Sequence, residues 1–178
     1  MDVTGWGCAR MTGGNWTIDL SLSEGAHSIN AKATDVGGSV SAASGNLSVT
    51  IDTTNPTAPN AATIVSGAGW NTNYITTSNQ AAVKVSGVKS ADTVSVQIEI
   101  DDEDTFAAAK TRTLTGLGGT TYADGTGIDV TTATALVDGY IAVRITASDV
   151  AGNTSNQTVL KTALVFLKDT SAVGAPSV

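Results

Sequence analysis

The chain has 178 residues, room for one large domain or two small ones, and it is 41% hydrophobic but only 4% aromatic. Its charged fraction of 14% and net charge of −7, with no basic cluster, argue against a duplex nucleic acid as partner. No apolar run is long enough for a transmembrane helix, Cys8 alone excludes an internal disulfide, and the start M-D-V-T-G-W-G lacks the basic and apolar regions of a signal peptide.

In chain order, the first strand signal is G-G-N-W-T-I-D-L, Gly13 to Leu20, with Trp16 at a core position. Next comes L-S-E-G-A-H-S-I-N-A-K-A-T-D-V-G-G-S, Leu22 to Ser39, whose inward track is His27, Ile29, Ala31 and Ala33. Leu47, Val49 and Ile51 alternate with Ser48 and Thr50 and run into D-T-T-N-P-T-A-P, Asp52 to Pro59, which reads as a linker because proline cannot donate to a sheet ladder. Val83 and Val85 bracket Lys84 in a short strand, and Val94, Val96, Ile98 and Ile100 alternate with polar residues in a longer one. T-F-A-A-A-K-T-R, Thr105 to Arg112, predicts a loop or short helix. Then L-V-D-G-Y-I-A-V-R-I-T-A-S-D-V-A-G-N, Leu136 to Asn153, repeats the earlier phrase, with Ile141, Val143, Ile145 and Ala147 inward. Gly25 stands to Asp35 as Gly139 stands to Asp149. Leu164 to Leu167 is apolar on both faces, and the chain then reaches a second linker with Asp169 and Pro176.

Many short strands, regular turns and no long helical period predict an all-β protein of tandem antiparallel sandwich modules. The boundaries follow the linkers: residues 1–58 are the C-terminal half of one module plus its linker, and 59–178 are a complete module ending in a linker. The incomplete first module exposes strand edges that a neighbouring chain can pair.

These motifs resemble the bacterial Ig-like repeats of large secreted adhesins and surface-layer proteins. The resemblance rests on G-G-N-W, L-S-E-G, A-T-D-V-G-G-S and I-D-T-T-N-P in the first copy. In the second it rests on G-G-T-T-Y, L-V-D-G, A-S-D-V-A-G-N-T-S and L-K-D-T-S-A. It covers roughly residues 13–59 and 92–176, and departs at Gly38-Ser39, where the family has Gly-Asn. It implies Ig-like sandwiches, an extracellular or cell-surface location, and a non-enzymatic role as a rigid structural or adhesive spacer in an adhesin, surface layer or filament. It also implies calcium at module junctions, for which Asp35, Asp52, Asp149 and Asp169 are the candidate ligands. The competing reading of each is an Asp capping its own turn.

Two alternatives stand beside the spacer. One is a filament subunit whose first module takes a strand from a neighbouring copy. The other is a carbohydrate-binding module of a secreted enzyme, with Trp70 as platform for a surface glycan. Candidate partner contacts are Val165, Leu167 and Trp70, and the partners expected are neighbouring copies or modules. The acidic run Asp101 to Asp104, with Glu99 before it, reads as a solvated loop or a second cation site; Asp124 and Asp129 are weaker candidates. His27 is the single histidine and reads as a core or rim residue, which leaves a catalytic triad without support.

Overall fold

A computed structural model describes residues 10–12, 15–65, 73–103, 105–132, 135–160 and 167–172. Among them there are fourteen strands and no helix, so the protein is all-β. It divides into two compact units, Met1–Thr53 and Thr54–Val178.

The second unit holds the core. Its four-stranded sheet centres on β8 (Thr93–Asp101) and β12 (Ala142–Asp149), flanked by β9 (Lys110–Thr115) and β13 (Thr158–Leu160). A three-stranded sheet joins β5 (Asn60–Val65), β7 (Lys84–Val88) and β10 (Thr121–Ala123). Val96, Ile98 and Ile100 of β8 and Val143 and Ile145 of β12 are fully buried. They pack in one cluster with Ile64, Val85 and Tyr122 of the other sheet. Each such large side chain contributes roughly 1.5–3 kcal/mol by leaving water. Alternation with Arg144, Thr146 and Ser148 puts every second residue of β12 inward, as the sequence pattern requires.

The alternation of β8 breaks near its start, and the pairing shows why. Asp149 pairs with Thr93 but Ser148 with Ser95, so Val94 is the extra residue of a β-bulge. A one-residue slip exchanges the faces, so Thr93 is fully buried and Val94 only half-buried. Thr105 to Arg112 forms turns and the start of β9, with Phe106 held at a positive φ of 54°. The Arg144 guanidinium lies 4.4 Å from the Phe106 ring centre, and its Nε and Nη2 each donate to Glu99 at 2.6 Å. This pairing occupies the outer face of the sheet.

A third sheet closes the unit with β11 (Gly139–Tyr140), β14 (Leu167–Lys168) and β6 (Tyr74–Ile75). Here β14 runs parallel to β6, an exception to the antiparallel pattern expected from the sequence.

The first unit contains β1 (Arg10–Thr12) paired with β2 (Asn15–Thr17), and β3 (Gly25–Ile29) paired with β4 (Leu47–Ile51). Trp16 is 51% exposed, not in a core, because the described residues of this unit place no second layer over the β1–β2 hairpin. Its counterpart on the second unit's Gly-Gly strand, Tyr122, is 2% exposed. His27 is buried, and its Nε2 lies 2.7 Å from the Ser23 carbonyl.

Candidate functional site

The repeated phrase folds into the same turn twice. In the first copy the Asp35 amide donates to the Ser39 carbonyl at 3.0 Å, and the Gly38 amide donates to the Asp35 carbonyl at 3.1 Å. In the second, Asp149 N donates to Asn153 O at 3.1 Å and Gly152 N to Asp149 O at 3.3 Å. Gly38 and Gly152 have φ of +85° and +95°, a region that L side chains enter only with strain. Two residues before each Asp, Ala33 N and Ala147 N donate to Ser41 Oγ and Ser155 Oγ, both at 2.9 Å.

The turn carboxylates serve this geometry. Asp35 Oδ1 accepts from Ser39 N at 2.8 Å, and Asp149 Oδ1 accepts from Asn153 N at 2.9 Å. The Asn153 side-chain amide adds a bond to Asp149 Oδ2 at 2.9 Å, a contact that serine at position 39 is too short to copy. Burial pushes the Asp149 carboxyl up, but donation from Asn153, Gly152 and Ala151 outweighs it and holds the group below the usual carboxylate range.

A second device, not recognised in the sequence, lies at the other end of each phrase. Gly25 pairs with Ile51 and Gly139 with Lys168, so the acidic residue before each glycine sits across from the Asp-Thr pair that follows the last strand. Glu24 Oε2 accepts from the Thr53 amide at 3.0 Å and the Thr53 hydroxyl at 2.7 Å. Asp138 Oδ2 accepts from the Thr170 amide at 3.0 Å, and its Oδ1 from the Thr170 hydroxyl at 2.9 Å. In both copies a carboxylate from the acidic-Gly turn therefore clamps the threonine of the Asp-Thr pair that follows the last strand. The second clamp is reinforced by Lys168, itself buried, whose Nζ donates to Asp138 Oδ1 at 2.6 Å. Lys168, then the Thr170 amide, hold the Asp138 carboxyl far below the usual carboxylate range. The acid before each glycine was the available signal, but its partner lies a long loop away.

The aspartates expected in pairs at two junctions, Asp35 with Asp52 and Asp149 with Asp169, are not brought side by side. Asp52 follows Ile51, which pairs with Gly25, whereas Asp35 lies ten residues beyond Gly25 at the far end of the strand. That is about 30 Å of extended chain. Asp149 and Asp169 are separated in the same way, and Asp169 Oδ1 accepts from Ser171 N at 3.0 Å. Among the described residues no three acidic, histidine or cysteine side chains gather as a metal site.

Within the acidic run Asp101 is buried and Asp102 half-buried, whereas Glu103 is exposed. Asp101 is 2% exposed and accepts from the Asp102 amide at 2.9 Å, while Asp102 Oδ2 accepts from the Val137 amide at 2.6 Å. Asp124 is buried and accepts from Thr126 N at 3.0 Å, and Asp129 accepts from the Thr131 amide at 2.8 Å. These acids satisfy backbone donors within turns. Of the expected partner contacts, Val165 and Trp70 lie outside the described residues. Leu167 is half-buried between Tyr140 and Tyr74 of the neighbouring strands, which are 62% and 37% exposed.

No family model matches the chain, and no curated protein does. Among solved structures, the chain is similar to the tetra-tandem repeat in the extending region of a large adhesion protein, with a TM-score of 0.41 and 20% identity. The match covers 86% of this chain and 40% of that structure.

Proposed function

We propose that the chain is a non-enzymatic, extracellular Ig-like repeat that serves as a structural or adhesive spacer in a cell-surface adhesin, surface layer or filament. The observation that carries this reading is the linker-root clamp made by Glu24 on Thr53 and by Asp138 on Thr170. The same carboxylate at each exit suits a spacer, because force and orientation pass through the residues where the linker leaves the sheet. The cavity lined by Thr57, Ala58, Asn60, Val88, Lys89 and Ser90 has a volume of about 210 Å³. Its lysine ammonium donates to the carbonyls of Ser90, Thr93 and Gly119.

Pulling the full chain from its two ends tests the spacer reading. The second unit is expected to unfold in one discrete event, with a contour gain on the order of 35 nm. Asp138→Asn is expected to lower the unfolding force, because the amide no longer pairs with Lys168. Acid has the same effect. The folded-state pKa of Asp138 lies below its unfolded value, so its contribution is whole above about pH 4 and is lost as the pH falls towards the depressed value. The Asn variant is expected to show a flatter acid limb. Featureless extension, or an Asn variant as strong as the parent at neutral pH, would count against a mechanical role.

A further inference from the structure

We infer that the backbone carbonyls of Ser90, Thr93 and Gly119 form a cation site. The chain fills it with its own Lys89 ammonium, and it takes a small primary ammonium ion when that side chain is cut back. The inference goes beyond the spacer reading and does not rest on it.

The site lies where the chain of the second unit passes between the two larger sheets. It leaves β7 at Val88, runs through Lys89 and Ser90, and enters β8 at Thr93. It leaves β9 at Thr115, runs through Gly119, and enters β10 at Thr121. Strands β7 and β10 belong to the three-stranded sheet, and β8 and β9 to the four-stranded one, so both segments are crossovers. A backbone bond ties them, from the Lys89 amide to the Thr120 carbonyl at 2.9 Å.

The Lys89 side chain ties them again. Its Nζ donates to the Ser90 carbonyl at 3.2 Å, and to those of Thr93 and Gly119 at 2.7 Å each. An ammonium group has three protons, so each carbonyl receives one. The residue is 4% exposed, and among the described residues no carboxylate pairs with it. The buried charge is therefore held by peptide dipoles, whose negative ends converge on it.

That convergence fixes the class of ligand. A hydroxyl has one proton to give and leaves two of the carbonyls unserved. Calcium takes about six to eight oxygens and favours carboxylates, which these three carbonyls do not supply. A primary ammonium matches the acceptors in charge and in number. The cavity beside the linker residues Thr57 and Ala58 is lined by Lys89 and Ser90 as well, so a small amine has a way in once the lysine is shortened.

Thermal melts of the full chain with Lys89→Met and Lys89→Ala test the site. The Met variant keeps an apolar stem of similar length without the charge, and is expected to melt about 5–15 °C below the parent. The Ala variant lacks the atoms that n-propylammonium carries. That ion at ~0.1 M is expected to recover about half of the Ala variant's loss and to leave the parent and the Met variant unchanged. Neither n-propanol, similar in shape but uncharged, nor potassium chloride at the same ionic strength is expected to recover any of it. A Met variant as stable as the parent, or equal recovery by n-propanol or potassium chloride, would overturn the proposal. So would an equal effect of n-propylammonium on all three proteins. Where neither variant folds, the parent decides: nitrogen NMR is expected to show a slowly exchanging Lys89 ammonium coupled through its hydrogen bonds to the three carbonyl carbons. Exchange as fast as that of the exposed Lys32 ammonium would overturn the site.

Discussion

Replacing Ile145 with alanine is expected to destabilise the second unit by about 2–5 kcal/mol, the range for deleting a large aliphatic side chain from a packed core. Ile145 is fully buried, pairs with Ile98 on one side and Thr158 on the other, and belongs to the cluster that joins the two larger sheets. Few atoms near it are free to move into the space, because its neighbours are themselves in regular strands. Ile29→Ala removes the residue that matches Val143, yet its expected cost is within about 0.5 kcal/mol because Ile29 is only half-buried. Chemical denaturation of both variants, followed at the second unit and by amide exchange at β3, checks the contrast. Similar losses in the two would mean that the first unit has a core of its own.

Gly127→Ala is expected to cost about 2–6 kcal/mol, through two effects that add. Gly127 has a φ of +96°, and strain of this kind in a residue with a Cβ costs about 1–3 kcal/mol. A Cβ built there falls 2.6 Å from the Ala82 carbonyl carbon and 2.7 Å from its oxygen, which are backbone atoms and cannot rotate away. They cannot shift cheaply either, because the neighbouring Val83 and Ile128 exchange two backbone hydrogen bonds of 2.8 Å. Overpacking of this sort adds about 1–3 kcal/mol. Gly116→Ala provides the control: its φ is +67°, but the added Cβ meets nothing within 4 Å. Thermal melts should place the Gly116 variant well above the Gly127 variant, and equal losses would remove the steric part of the account.

The all-β class and the inward tracks of β8 and β12 were legible in the sequence because alternation with a period of two leaves only one way to bury Val143, Ile145 and Ala147. The paired turns were legible for the same local reason: Asp35 and Asp149 reach only a few residues along the chain to their partners. What the sequence hid depends on contacts across long loops. The bulge at Val94 is set by the pairing of β8 with β12, not by any residue near it. Trp16 read as core because strand alternation says which side a residue takes, but not whether a second layer covers it. Asp102 read as solvated because its acceptor role on the Val137 amide depends on a segment distant in sequence. The Glu24 and Asp138 clamps escaped notice because the loops that bring Thr53 and Thr170 to them differ in length between the copies, which blurs the spacing.

The two copies share one hydrogen-bonded plan but differ in what covers the strand that follows the acidic-Gly turn. A two-stranded hairpin is marginal in water without such cover, whereas a strand between two others in a packed sheet opens only with the unit. Amide hydrogen exchange on the full chain measures this difference directly. Arg144, Thr146 and Ser148, paired with β8, are expected to exchange at least about a thousandfold more slowly than Asn30, Lys32 and Thr34 at the matching positions of the first copy. Equal, strong protection at both sets of amides would contradict the account, since it would require the first copy to be as fully paired as the second.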